Sequence, residues 1–468
     1  MRNQLAVAVL AVLLCAGALY ADDKPFDKAQ VRPNILIILA DDLGYQDLGC
    51  QGSTDIPTPH IDSIAKKGIR CTSGYVSSCM CSPSRAGLLT GRSQSRFGHE
   101  INFTSDPDGS RGLPLSETTF ADRMKAAGYR TGAVGKWHLG ANEPRHPMRR
   151  GFDEHFGFLG GGHRYFCDKY IPGLKQDNSA WEYCSLLERN GTPEETKGYL
   201  TEVLGRECAA FIHRNREQPW FLYAAFNAPH SPQEAPQKYL DRFPNITKEP
   251  RKTYCAMVSA LDDTVGEILA QIRTDGLEER TLVVFLSDNG GPLDRNGSCN
   301  IPLSGEKGKM LEGGIRIPFL MQLKGRLPEG RIYDRPVSSL DLLPTALALA
   351  GVEAKPEWKL DGVNLIPFLT GERTGDPHER LLWRMKERSI WAIREGDEKL
   401  VMQKFEAPRL FNLAADIGES TNLAGKNKAR YDELQRTYDA WAATLPEPLW
   451  GTGETQGLKA KKSGKSKK

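Results

Sequence analysis

The sequence predicts an α/β protein with a large, mostly parallel sheet sandwiched by helices, followed by a small C-terminal α+β domain with an antiparallel sheet. Three observations lead there. Short, continuous apolar runs at 34–40, 220–226 and 282–286 have the length and character of strands buried on both faces. Helical patterns alternate with these runs up to about residue 370, as βαβ crossovers require. After about residue 375 the pattern changes. Two strand-like runs, 390–394 and 399–403, flank Glu395, Gly396, Asp397 and Glu398, which reads as a hairpin.

The elements follow in order. After the run 34–40, Thr58 and Pro59 read as N-cap and first helical position, with Ile61, Ile64 and Ala65 on one face and Gly68 as the stop. Ser116 is the expected cap of a helix over 117–127 closed by Gly128, and 131–134 is a short strand. Met257, Ala260, Leu261, Val265, Ile268, Leu269 and Ile272 recur at helical spacing, with Gly276 beyond them. A last helix is expected over 428–443. The predicted organisation is an export signal over 1–21, a catalytic α/β domain over 32–375, an α+β subdomain over 376–447 and a lysine-rich tail over 448–468.

Composition narrows the function. The chain has 468 residues, 39% hydrophobic and 26% charged, which excludes a disordered, collagen-like or coiled-coil protein. Lys and Arg number 62 against 59 Asp and Glu, and six of the lysines stand in the last ten residues; without those six the net charge is −3. No basic field points to nucleic acid. Arg2, the uncharged run 5–14 and Ala18 to Ala21 form a signal for export to the periplasm or medium, and no later run is long enough to span a membrane. Cys15 leaves with the signal. The other nine cysteines show neither a disulfide framework nor paired zinc spacing.

In parallel α/β sheets, ligands bind beyond the carboxyl ends of the strands. Three buried runs end in polar groups: Asp41 and Asp42; Asn227 to His230; and Ser287, Asp288, Asn289, Gly290 and Gly291. Asp41, Asp42, Asp288 and Asn289 offer oxygen only, which suits Ca²⁺ or, less well, Mg²⁺ rather than zinc. Crowded carboxylates also need a cation to offset their repulsion. Cys81, Ser82, Pro83, Ser84 and Arg85 open a helix. There Cys81 is a buried residue before a capped helix, a neighbour of an anion site, or a thiolate nucleophile.

These segments resemble the type I sulfatases of the alkaline phosphatase superfamily. The match runs through 34–44, Cys81 to Arg85, Gly135-Lys-Trp-His-Leu-Gly140, Ala228-Pro-His230, 287–291 and 305–316, and covers about residues 32 to 445. The resemblance implies hydrolysis of sulfate monoesters. It implies that a formylglycine-generating or sulfatase-maturating enzyme oxidises Cys81 to formylglycine. The calcium-bound hydrate then attacks sulfur, releases the alcohol and eliminates sulfate. It assigns Asp41, Asp42, Asp288, Asn289 and residue 81 to the metal, and Arg85 to orienting formylglycine. Lys136 and Lys307 bind sulfate. His138 assists deprotonation of the second hydroxyl, and His230 contacts substrate and protonates the leaving alkoxide. The exported relatives it is most similar to are bacterial carbohydrate sulfatases that degrade polysaccharide, so a sulfated glycan is the expected substrate. His99, Glu100 and Asn102, or His163, Arg164, Tyr165 and the loop through Trp181, are the expected sugar subsite. Two departures are Cys79, two residues before Cys81, and the bulky pair Lys309 and Met310. The competing classes are a phosphoric or phosphonic monoester hydrolase and a glycan-binding protein whose Cys81 stays unconverted.

Overall fold

The computed structural model describes residues 32–103, 110–167 and 187–451; the expected signal 1–21, Trp181 and the tail from 452 lie outside these. From Pro33 onward the described chain packs as one compact unit. The strands are β1 (Asn34–Ala40), β2 (Ile69–Cys71), β3 (Gly74–Tyr75), β4 (Arg130–Lys136), β5 (Glu154–Phe158), β6 (Leu187–Arg189), β7 (Thr192–Glu194), β8 (Trp220–Ala225), β9 (Thr281–Ser287), β10 (Phe319–Gln322), β11 (Arg331–Tyr333), β12 (Val337–Ser338), β13 (Arg380–Met385), β14 (Ile390–Glu395), β15 (Glu398–Met402) and β16 (Arg409–Asn412). Ten of them form one sheet in the order β11-β2-β10-β9-β1-β8-β4-β5-β6-β7. Its centre, β9-β1-β8-β4-β5, is parallel; β10 and β6 run antiparallel to it at the flanks, and β7 turns back antiparallel to β6.

Strand alternation explains why the central runs are apolar from end to end. Ile35, Ile37 and Leu39 enter the core on one face, and Leu36, Ile38 and Ala40 enter a second core on the other. The helices Cys81–Thr90, Phe120–Ala126 and Leu342–Leu349 contribute to the first core, and Pro59–Lys66, Leu200–Arg214 and Arg251–Thr274 to the second. The helix expected from Ser116 instead begins at Phe120. Thr119 caps it, accepting from the Asp122 amide at 3.0 Å while the Asp122 carboxylate accepts from the Thr119 amide at 2.9 Å. That reciprocal pair outcompetes the lone serine upstream.

Strands β13 to β16 form the antiparallel sheet expected after residue 375. The helix Lys428–Ala442 covers one face, where Trp391 stacks on Tyr438 with ring centroids 3.9 Å apart. The other face joins the main core through Trp383, Met385, Ile390, Ala392, Val401 and Phe411.

Register decides where the site lies. Ala40 pairs with Ser287, Leu39 with Ala225, and Gly135 with Ala225. Four strands therefore stop nearly in step, and Lys136 at the end of β4, with Asp41, Asn227 and Asp288 just beyond β1, β8 and β9, are delivered to one edge.

Candidate active site

The ladder continues one residue beyond the strands: the Asp41 amide donates to the Ala228 carbonyl at 3.1 Å and the Asp288 amide to the Ala40 carbonyl at 3.0 Å. This fixes the backbone under both carboxylates. Asp42 then turns with φ of 65°, a left-handed conformation that aspartate tolerates better than most side chains. Its amide donates to Asp288 Oδ1 at 3.3 Å.

Cys81 begins the helix Cys81–Thr90, whose first turn faces these strand ends. Its Sγ lies 3.5 Å from Asp41 Oδ1 and 3.0 Å from Lys307 Nζ. One turn along, Arg85 reaches between the strands. Nε and Nη2 donate to Asp288 Oδ2 at 3.0 and 2.8 Å, and Nη1 donates to the Lys136 carbonyl at 3.2 Å and the Tyr223 hydroxyl at 3.4 Å. Lys136 Nζ meets Asp41 Oδ2 at 2.5 Å, and Lys307 Nζ meets Asp42 at 2.7 and 2.9 Å. Three carboxylates and three cations are thus enclosed together.

Their charges are shaped by that enclosure. Burial opposes ionisation of Asp41, but Lys136, His230 and Arg85 outweigh it and hold the carboxyl well below the usual range. Burial and the neighbouring Asp41 raise Asp288 to about 6 despite Arg85. Burial, reinforced by Asp41, pushes the Cys81 thiol up to about 12, so Cys81 as encoded is no ready thiolate. Burial, then Lys136 and Arg85, depress His138 far below its ordinary value; burial also depresses His230, against the pull of Asp41 and Asp42.

Several groups remain open. Asn289 Nδ2 donates to Asp42 Oδ1 at 2.7 Å, but its buried Oδ1 has no partner among the described residues. Both ring nitrogens of His138 are likewise buried without a partner among them. His230 Nδ1 lies 2.6 Å from the Ser231 carbonyl, leaving Nε2 to face Asp42 Oδ2 at 3.6 Å. Potential ligand atoms of Asp41, Asp42, Cys81 and His230 lie within 4.8 Å of one another. Of the residues expected at a metal, Asp41, Asp42 and Cys81 therefore come together, and Asn289 touches Asp42 through its amide nitrogen. Asp288 sits beside them with one oxygen committed to Arg85. An oxygen-rich donor set with one orphaned amide oxygen fits a hard divalent cation.

The subsite expected from the first loop is corrected. His99 is fully buried and pairs with Ser82 Oγ at 2.7 Å, while Ser82 Oγ donates to the His138 carbonyl at 2.7 Å. Glu100 is also fully buried, against Arg384 Nε at 2.6 Å and the Lys386 amide at 2.8 Å. Asn102 accepts from the Ser82 amide at 2.9 Å. His99 and Asn102 brace the helix that carries Cys81, and Glu100 ties the loop to β13. In the second loop Arg164 is half-exposed and paired with Glu234 at 3.0 Å, whereas Tyr165 is buried. Cys79 forms no disulfide among the described residues; its carbonyl accepts from the Gly308 amide at 2.8 Å and ties the Lys307 loop to the turn before Cys81. Tyr223, which sequence reasoning passes over, touches Arg85; its signal is a lone hydroxyl inside the apolar strand β8.

The sulfatase family model matches residues 33–352. Human arylsulfatase A is 34% identical over 84% of this chain and 83% of its own length. Mouse N-acetylgalactosamine-6-sulfatase is 30% identical over 92% of this chain and 88% of its own. Among solved structures, Ps i-CgsB in complex with k-i-k-neocarrahexaose superposes with a TM-score of 0.86 at 38% identity, over 91% of this chain and 96% of that one.

Proposed function

The chain belongs to the sulfatase family and is a sulfuric ester hydrolase, and from that premise we propose that it is an exported enzyme that removes sulfate from a sulfated carbohydrate, using a divalent cation, Ca²⁺ before Mg²⁺, and a formylglycine made from Cys81 by a maturating enzyme. The observation that carries this reading is the placement of residue 81 at the strand ends, 3.5 Å from Asp41 and 3.0 Å from Lys307. The carbohydrate is supported by the likeness to a structure solved with neocarrahexaose.

Asp41, Asp42, Asp288, Asn289 and residue 81 would hold the cation. It supplies neutralisation of the carboxylates and a lower pKa for an oxygen on residue 81. Formylglycine supplies, as its hydrate, an oxygen nucleophile with an exit for sulfate that a serine ester lacks.

The chain's own residues do the rest. Lys136 and Lys307 are balanced by Asp41 and Asp42; once those carboxylates serve a cation, both ammonium groups are available to sulfate oxygens and to charge developing on the bridging oxygen. Arg85 is committed to Asp288 and the Lys136 carbonyl, so it orients residue 81 rather than substrate. His138, with two open nitrogens, takes a proton from residue 81. His230 holds a proton at Nε2 for the departing alcohol, a step that ordinarily contributes about 10²–10⁴-fold.

The test combines two measurements on the exported protein. Mass spectrometry of the peptide containing residue 81 reads conversion to the aldehyde, and release of sulfate from defined sulfated oligosaccharides reads turnover. The expected result is an aldehyde and sulfate release that stops on chelation and returns with Ca²⁺. An intact thiol in protein that releases sulfate overturns the formylglycine reading.

A further inference from the structure

Tyr165 looks from the sequence like a ring on which a sugar could stack. It is fully buried instead, stacked on Tyr199 with centroids 5.6 Å apart. Its hydroxyl lies 2.6 Å from the Asn227 carbonyl and 2.8 Å from the His230 carbonyl. These two carbonyls frame the turn that leaves β8, a turn closed by the His230 amide donating to the Asn227 carbonyl at 2.8 Å. A phenol has one proton to donate, so the two acceptors share it, and a single buried atom grips both ends of the turn.

The grip is itself anchored. The Tyr165 amide donates to Glu234 Oε2 at 2.9 Å, the Leu200 amide donates to the Tyr165 carbonyl at 2.7 Å, and the Tyr199 hydroxyl donates to the Glu234 carbonyl at 3.0 Å. The Asn227 side-chain amide reaches the His163 carbonyl at 3.5 Å. The imidazole of His230 has one ring hydrogen bond, Nδ1 to the next carbonyl in the chain, and a longer approach of Nε2 to Asp42 Oδ2 at 3.6 Å. Its direction is therefore set largely by the backbone turn that the tyrosine holds.

We infer that Tyr165 is a positioning residue for this hydrolase: its hydroxyl fixes the Asn227–His230 turn so that His230 Nε2 meets the leaving oxygen of the substrate. Tyr165 does not touch substrate. The inference rests on the reading of His230 as the proton donor, and it extends that reading to a residue on a different loop. Removing only the hydroxyl leaves the aromatic packing in place and lets the turn relax. A displacement of about 1 Å can cost about 10²-fold in a proton-transfer step.

The test is Tyr165→Phe in the matured full chain, assayed beside wild type and His230→Ala on sulfate esters of graded leaving-group acidity, from nitrophenyl sulfate through phenyl sulfate to an alkyl sulfate. A proton donor matters most where the alcohol leaves reluctantly. Both variants should therefore show a steeper dependence of log kcat on leaving-group pKa. For Tyr165→Phe the expected loss is about tenfold or more on the alkyl ester and less than about threefold on nitrophenyl sulfate, in kcat rather than KM. The slope compares substrates on one preparation, so a lower folded fraction does not change it. A steeper slope for His230→Ala with a parallel or unchanged line for Tyr165→Phe overturns the positioning role. An unchanged slope for His230→Ala overturns the proton-donor reading, and the inference with it.

Discussion

Two groups of buried charges lie in this molecule, and they are built differently. One, at the strand ends, gathers Asp41, Asp42, Asp288, Arg85, Lys136 and Lys307. The other joins the large sheet to the small one. There Glu312 meets Lys399 at 2.8 Å, the Tyr75 hydroxyl at 2.5 Å and Arg316 at 3.3 Å; its amide donates to Glu419 at 2.7 Å, and Lys399 also lies 2.9 Å from Glu419. In the second group both oxygens of Glu312 face donors, and Glu419 Oε1, which has no hydrogen-bond partner among the described residues, still lies 2.9 Å from the Lys399 ammonium. In the first, Asn289 Oδ1 and both His138 nitrogens face none among the described residues. Burial of charge is common to both; the first also has an open amide oxygen and two open imidazole nitrogens beside it, which the proposed chemistry would use.

Substitutions can break or sharpen that contrast. The largest effect is expected from Cys81→Ala: sulfate release should fall by at least about 10⁴-fold, the scale on which losing a nucleophile acts, with the denaturation midpoint unchanged. Lys399→Met should do the reverse. It leaves Glu312 and Glu419 buried with less compensation, at a cost of about 3–5 kcal/mol in urea unfolding, while specific activity of the folded fraction persists. Asn289→Ala comes next. It removes an oxygen that nothing among the described residues satisfies, together with the amide that donates to Asp42 Oδ1, so stability should fall by about 0.5–1.5 kcal/mol, while Ca²⁺-dependent activity drops about 10–100-fold, the range for a disturbed metal shell. A destabilised Asn289→Ala with full activity would erase the distinction.

The smallest effect concerns a third buried pair, His378 with Asp341, whose oxygens lie 2.8 and 3.0 Å from the imidazole. Burial works against the His378 charge, but Asp341 outweighs it and raises the pKa above the unfolded value of about 6.5. The pair's contribution is complete below that value and fades as pH rises through the folded pKa. Wild-type stability should therefore lose an increment between about pH 6 and 8 that His378→Gln lacks, as read by unfolding at both pH values.

How much of this was legible in the sequence follows from the same physics. Strands β1, β8 and β9 are readable because burial on both faces makes them apolar throughout, so the polar residues at their ends stand out. The flanking strands β6, β7, β10 and β11 are only three or four residues long, too short to carry a period. The roles of Cys81, Asp41 and Lys307 could be proposed from motifs because each sits in one. The task of Tyr165 could not, because its partners lie 62 and 65 residues away and are backbone carbonyls, which leave no trace in side-chain identity. His99 and Glu100 misled for a related reason: a histidine and a glutamate beside a nucleophile look like ligands until burial shows them bonded to Ser82 and Arg384.

Cys81 has no solvent-accessible surface in the folded chain. A protein catalyst must wrap its own groups around the sulfur it modifies, and here the finished wall of strand tips and lysines leaves no room for that. Under the proposed conversion, the modifying protein must therefore arrive early, while the segment is still an extended peptide, and folding then seals the product in. The proposed order of events, alteration first and closure second, follows from that enclosure.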